Sequence, residues 1–272
     1  MSDRLFDISG KVAVVTGGGG VICGAMAEEL AARGAKVAVL DLAEDAAQKV
    51  VDRIVGAGGE AIAVKCNALE QDSVRAGAQQ VADTLGPADI LINGAGGNKK
   101  EATTSDDFSF FDIPADALRF VIDLNLLGSV LPSQAFGKQM TDRGEGVIIN
   151  ISSMNSFRPL TKIIGYSAAK AAINNFTQWL AVHIAQNYSP RVRVNAIAPG
   201  FFETAQNKFL LRGGDGSLTP RGDQILGHTP MNRFGEPDDL LSTLVWLISP
   251  GASFVSGIVV PVDGGFSAFS GV

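Results

Sequence analysis

Several residue types are scarce in this 272-residue chain: two cysteines (Cys23 and Cys66), two histidines (His183 and His228), two tyrosines and two tryptophans. Two cysteines do not make a disulfide scaffold. Neither histidine has a partner histidine or cysteine at metal-ligand spacing, so no metal site is expected. An excess of positive charge is also missing. The net charge is −6, which gives no support for binding nucleic acid through its backbone. No uninterrupted apolar run reaches the roughly 18 residues of a membrane span. Met1 to Gly10 contains no apolar core of a secretory signal. A soluble cytoplasmic protein, without membrane or nucleic-acid partners, is the expectation.

What the chain does have is 46% hydrophobic residues and 32 glycines, a composition for a globular fold with many tight turns. Short β-branched runs alternate with Ala-rich stretches from end to end. Val12 to Thr16, Lys36 to Asp41, Ala61 to Lys65, Asp89 to Asn93, Val147 to Ile151, Arg193 to Ala198 and Ile258 to Val262 read as strands. Ala25 to Gly34, Ala43 to Gly56, Asp72 to Leu85 and Pro114 to Met140 read as helices. Such alternation means βαβ units and a parallel sheet covered on both faces. Nothing divides residues 1–272, so one dinucleotide-binding and catalytic domain is expected.

Three stretches carry chemistry. The first strand runs into Thr16-Gly-Gly-Gly-Gly-Val-Ile-Cys-Gly24; a Gly-rich turn opening a helix lets backbone N–H groups approach a pyrophosphate. Asp41 ends the second strand, where a carboxylate can bond ribose hydroxyls and would repel a 2′-phosphate. No Arg or Lys follows it, which favours NAD(H) over NADP(H). Then comes Ser153, at the end of the apolar run Val147 to Ile151, with Tyr166-Ser-Ala-Ala-Lys170 beyond it. On a helix, Tyr166 and Lys170 share one face about a turn apart. The neighbouring ammonium is expected to draw the phenol down from roughly 10.

Taken together these stretches resemble the short-chain dehydrogenase/reductase family, from about Lys11 to Gly265. The resemblance implies a doubly wound, Rossmann-type sheet of seven parallel strands in the order 3-2-1-4-5-6-7 and a homotetramer. It implies a catalytic set of Asn125, Ser153, Tyr166 and Lys170, with Tyr166 as general acid/base and Ser153 bonding the carbonyl oxygen. Lys170 would hold the nicotinamide ribose, and Asn125 would hold a water linking Lys170 to solvent. Cofactor contacts fall on Gly17, Gly20, Ile22, Asp41, Asn67, Ala68, Asn93, Ala95, Tyr166, Lys170, Pro199 and Thr204. Asn93-Gly-Ala-Gly96 resembles the family's Asn-Asn-Ala-Gly turn. Val21 and Cys23 occupy places where the family's glycine pattern expects glycine, and Asn67 stands where the family often has an acid.

The variant glycine turn, Asn-Gly-Ala-Gly-Gly-Asn from Asn93 and the run from Ser152 to Lys162 look like a branch of the family, the D-mannonate oxidoreductases (fructuronate reductases). That implies interconversion of D-fructuronate and D-mannonate with NAD(H). Lys99 and Lys100, in an unusually long segment after Asn93, and Asn155 and Arg158, after Ser153, are candidates to hold an anionic sugar. A solvated surface loop is the competing reading for both lysines. Residues 205–233 are expected to form a flap, from which Asn207, Arg212 or Arg221 could reach substrate. Phe176, Trp179, Leu180 and His183 suggest a subunit face, and the tail from Phe266 an oligomer contact. Two alternatives stay open: an NAD(H)-dependent enzyme acting on another polyol, sugar acid or keto compound, and a non-catalytic dinucleotide-binding sensor.

Overall fold

A computed structural model describes residues 4–204 and 208–271. In chain order the elements are β1 Val12–Thr16, α1 Val21–Ala32, β2 Lys36–Asp41, α2 Glu44–Gly56, β3 Glu60–Lys65, α3 Gln71–Thr84 and β4 Ile90–Asn93. They continue as α4 Ala115–Arg143, β5 Gly146–Ile151, α5 Ile164–Asn187, β6 Val192–Pro199, α6 Lys208–Leu211, α7 Pro220–Gly227, α8 Asp238–Ile248 and β7 Val259–Val262. The seven strands form one sheet in the order β3-β2-β1-β4-β5-β6-β7, and every neighbouring pair is parallel.

The strands are apolar throughout because both faces are covered. Successive side chains point to opposite faces, and the two cores divide accordingly. Ala13, Val15, Val37, Val39, Ile90, Ile92 and Ile149 pack with α1 and α8 through Met26, Leu30, Leu240 and Leu244. Val12, Val14, Ala38, Leu40, Leu91 and Ile148 pack with α3, α4 and α5 through Val81, Phe136, Met140 and Ile184. The long α4 stops at Gly144, whose φ of +79° is the left-handed conformation that ends helices.

Strand β1 lies between β2 and β4, so the chain winds in both directions away from it. In such sheets the loops at the C-terminal ends part at that point and leave a crevice. The strand boundaries agree with the sequence reading to within a residue. Helix α1 begins earlier than expected, at Val21 rather than Ala25, because Gly20 adopts the extended N-cap conformation. Between residues 208 and 248 lie α6, α7 and α8, which alternation alone did not single out. Among the described residues no helix is long and apolar enough to cross a membrane.

The tail departs from expectation. Phe266 is buried within its own chain beside Met154, Leu211, Ile225 and Phe234, with its ring 5.3 Å from Phe201 and 4.7 Å from His228. It closes the segment after β6 against the body.

Candidate active site

A cleft of about 630 Å³ opens across the C-terminal ends of the strands. It is lined by the turn from Thr16 to Cys23, by Asp41, Asn67, Ala68 and Ala95, by Ser153, Tyr166 and Lys170, and by Pro199 and Thr204. Gly17 has φ +63°, and a Cβ there would stand 2.9 Å from the Ala95 backbone. Only glycine permits that approach. Gly20 caps α1 without any side-chain acceptor, and the first turn carries no acid. The leading N–H groups of α1 are therefore free to meet an anion, in a position the helix dipole favours.

The departure at Cys23 meets the Asn93 to Gly96 turn in space. Cys23 is buried, and a Cβ on Gly94 would collide with its Sγ and come within 2.8 Å of the Thr16 carbonyl. The residue enlarged at 23 thus lies against the residue reduced at 94. Thr16 Oγ1 fastens the same junction, accepting from Gly94 N at 3.1 Å and Ala95 N at 3.3 Å. Burial pushes the Cys23 thiol up to about 12, against a smaller downward pull from Lys170. It is a packing residue and not a nucleophile.

Asp41 accepts from Gly19 N at 3.0 Å and Ala43 N at 2.9 Å. The next residue, Leu42, is exposed, and no cation follows to neutralise the carboxylate. Asn67 reaches the cleft but spends its amide locally, donating to Glu70 at 2.8 Å and accepting from Leu69 N at 3.1 Å.

The polar centre forms where β5 meets α5. Ser153 follows the end of β5 and lines the cleft with Tyr166, its hydroxyl near enough to the phenol to favour the phenolate. One turn along α5, Lys170 is buried; its ammonium donates to the Ile151 carbonyl at 2.7 Å and lies 5.5 Å from the Tyr166 ring centroid. Gly165 lets α5 approach α4, since a Cβ there would stand 3.3 Å from Leu118. Burial pushes the Tyr166 phenol above its ordinary value, Ser153 opposing it. Burial also brings Lys170 down to about 8. The sequence reading expected the ammonium to lower the phenol. In the folded chain desolvation is the larger effect on both groups.

Asn125 lies behind this centre, fully buried. It donates to Gly97 O at 2.7 Å and Val121 O at 2.8 Å, and accepts from Gly97 N at 3.2 Å. A Cβ on Gly96 would meet both Asn125 Oδ1 at 2.8 Å and Lys170 Nζ at 3.3 Å, so the two residues converge across that glycine.

Other expected residues lie elsewhere. Asn93 is not part of the lining; it turns beneath the cleft and donates to Ser133 at 2.9 Å and Asn150 at 2.8 Å. Lys99 holds its ammonium over the Phe120 ring at 5.1 Å, and Lys100 and Arg158 are exposed. Asn155 is buried, with its backbone N–H donating to Ser153 Oγ at 3.3 Å. Arg212 does not point to a substrate: it pairs with Glu203 at 2.8 Å and lies over Phe234 at 5.7 Å. Arg221 starts α7, and Asn207 lies outside the described residues. Unforeseen from sequence were the Cys23–Gly94 contact, the burial of Ala102, and Lys162, whose backbone carbonyl accepts from Thr104 N at 3.0 Å.

Residues 11–213 match the family model described as short chain dehydrogenase. An uncharacterized oxidoreductase of Bacillus subtilis (strain 168) is 48% identical over 275 residues, covering 98% of each chain. A crystal structure from Haemophilus, of a protein provisionally assigned as a D-mannonate oxidoreductase with NAD bound, superposes with a TM-score of 0.92. It is 48% identical, with 98% of each chain covered. The 7alpha-hydroxysteroid dehydrogenase of Escherichia coli (strain K12) is 35% identical over 265 residues, 97% of this chain and 96% of that one.

Two outcomes follow from this geometry. Gly94→Ala forces a Cβ onto Cys23 and should cost about 1–3 kcal/mol in chemical denaturation, as overpacking does. Adding Cys23→Gly should recover part of the loss, the Thr16 contact remaining; strictly additive losses would mean the two positions do not interlock. Lys170 has a folded value of about 8, below its unfolded value, so its ammonium opposes folding below pH 8 and the penalty fades as pH rises above 8. Lys170→Met should therefore be the more stable protein at pH 7, by something on the order of 1–3 kcal/mol. The difference should shrink in melts at rising pH, and a less stable variant at pH 7 would contradict the assignment.

Proposed function

The chain belongs to the short-chain dehydrogenase family and is an oxidoreductase working with a nicotinamide dinucleotide; from that premise we propose that it moves a hydride between NAD(H) and a sugar acid, D-mannonate/D-fructuronate. The observation that carries the reaction class is the convergence of Ser153, Tyr166 and the Lys170 ammonium in one cleft that runs on to Asp41.

The cofactor fits the residues present. The uncapped start of α1 offers N–H groups to a pyrophosphate. Asp41 offers a carboxylate where adenosine ribose hydroxyls would bond and a 2′-phosphate would be repelled, which favours NAD(H). The NAD in the Haemophilus structure agrees with that preference. Thr204 and Pro199 line the cleft, and their proposed role is to border the nicotinamide. When bound, the dinucleotide supplies or accepts the hydride.

The chain's own residues handle the proton and the carbonyl. Ser153 bonds the substrate oxygen, and Tyr166 gives up its proton in reduction and takes one in oxidation. A phenol held high by burial stays protonated but parts with its proton less readily, and Ser153 offsets part of that cost. Lys170 keeps a positive charge near the forming phenolate and bonds the ribose. Asn125 holds the backbone at Gly97, and with it the wall through which the proton path reaches solvent. Proton transfer of this kind contributes about 10²–10⁴-fold.

For the substrate, the support lies in the cations on the segments that flank the catalytic residues. Lys100, Arg158 and Lys162 form no ion pair among the described residues, although the chain as a whole is acidic. They stand on the two segments bordering Ser153 and Tyr166. Glu101, Asp106 and Asp107 share one of these segments and temper its field. The cations favour a carboxylate-bearing sugar, and the branch resemblance and the Haemophilus relative point the same way. The steroid-oxidising relative marks the second reading, another secondary alcohol or ketone. We further propose a homotetramer, because α4 exposes Phe120 and Leu127 and α5 exposes Ile164, Trp179 and Val182.

The deciding assay is loss of NADH absorbance with D-fructuronate, NADPH run in parallel. Rapid loss with NADH alone is expected, and Tyr166→Phe should remove about 10² or more of the rate while NADH still binds. No loss with either cofactor, from protein that binds NADH, would remove the D-mannonate reading. Light scattering in solution reads the subunit count, and a monomer or dimer mass would remove the tetramer.

A further inference from the structure

The segment between β4 and α4 was read from sequence as either a solvated loop or a substrate-holding one; its first half, exposed from Asn98 to Glu101, is also an ordered turn. It is tied down at three places. Gly97 exchanges two hydrogen bonds with Asn125, at 3.2 and 2.7 Å. A 3₁₀ turn, Lys100–Ala102, is stapled from within: Asn98 donates to Thr103 Oγ1 at 2.8 Å, and Thr103 donates to the Lys99 carbonyl at 2.9 Å. Thr104 N then donates to the Lys162 carbonyl at 3.0 Å, joining the segment to the loop that leads into Tyr166.

The stapled turn buries one side chain. Ala102 has no exposed surface and forms a small apolar cluster with Ala117 and Val121, against which Leu118 and the Tyr166 ring pack. This cluster is separate from the main cores on either side of the sheet. Among the described residues packed against it, the one aromatic is the residue assigned the proton transfer.

We propose that residues 97–104 are a buttress for the general acid/base, and that Ala102 is a positioning residue which completes the apolar seat of the Tyr166 ring. The inference rests on the role given to Tyr166 above. Ser153 stands by the hydroxyl at one end of the side chain, and Lys170 lies near the ring. The seat holds the ring's flank. A ring free to shift on that flank would carry its hydroxyl away from Ser153, and misplacement of about 1 Å can cost some 10²-fold in rate. The seat also keeps water from the ring, in line with the upward displacement of the phenol by burial.

The composition offers a test that needs no substrate. The chain has two tyrosines; Tyr188 is exposed, so Tyr188→Phe leaves Tyr166 as the sole tyrosine. In that background, carbon-13 NMR of the labelled Tyr166 Cζ follows its ionisation directly, with circular dichroism checking the fold at each pH. Ala102→Leu should crowd the ring toward solvent. Thr103→Val should loosen the staple without altering the volume at Ala102. Both should lower the ionisation midpoint relative to the parent and lower kcat about tenfold or more, while NADH affinity stays within about twofold, as for a site apart from the dinucleotide. An unchanged midpoint in both variants, with the fold intact, would overturn the buttress. So would a joint loss of melting temperature, NADH affinity and kcat in Ala102→Leu with Thr103→Val silent, the behaviour of an ordinary core residue. If the midpoint shifts while the parent turns over no sugar acid, the buttress stands and the substrate assignment fails.

Discussion

An ammonium buried at the end of a sheet is expensive to maintain. Lys170 has almost no exposed surface, and its direct hydrogen bond in the fold is to the Ile151 carbonyl. A cation in such a place must shed part of its proton affinity, be compensated, or both. The surroundings look arranged around that constraint. Gly96 gives up its side chain to let Asn125 and Lys170 converge, the Tyr166 ring lies near the charge, and the neighbouring thiol stays neutral. The charge that strains the fold is also the charge that would favour a transient phenolate, so stability and chemistry draw on the same group in opposite directions.

Beneath the cleft runs a second polar layer, one that faces no substrate. Asn93 and Asn150 sit opposite each other on β4 and β5. Asn93 donates to Ser133 and Asn150, and Asn150 donates to Thr177, which donates to Ile173 O at 2.8 Å. The links join β4 to α4, β4 to β5 and β5 to α5. A buried network of this kind is demanding, since a missing partner leaves a desolvated polar group. Its effect is to hold β4, β5, α4 and α5 in one register, and those four elements carry Asn125, Ser153, Tyr166 and Lys170.

The strands were readable because burial on both faces leaves continuous β-branched runs, their order came with the family resemblance, and the Ser153, Tyr166 and Lys170 spacing is local enough to survive translation into three dimensions. Asp41 was readable for the same reason. What was not readable depends on contacts between distant segments. Nothing near Arg212 in sequence announces that Glu203 and Phe234 would occupy it. Nothing near Phe266 announces a pocket formed by Met154, Leu211 and Ile225. Asn93 looked cofactor-facing by position, but the alternation of a strand sends its side chain to the other side. The direction of the Tyr166 shift was misjudged because charge proximity can be guessed from helical spacing whereas desolvation cannot.

The contact between Cys23 and Gly94 also bears on how such a chain can change over time. Each position limits what the other can hold, although they belong to different turns of the fold. A single replacement at Gly94 must pass through a crowded state, and the thiol at Cys23 can be exchanged freely only for something no larger. Drift at the two sites is therefore coupled, and the viable routes between this dinucleotide turn and a more glycine-rich one run through paired substitutions in a restricted order. A pattern that scores each glycine independently treats as two defects what the fold treats as a single exchange of volume.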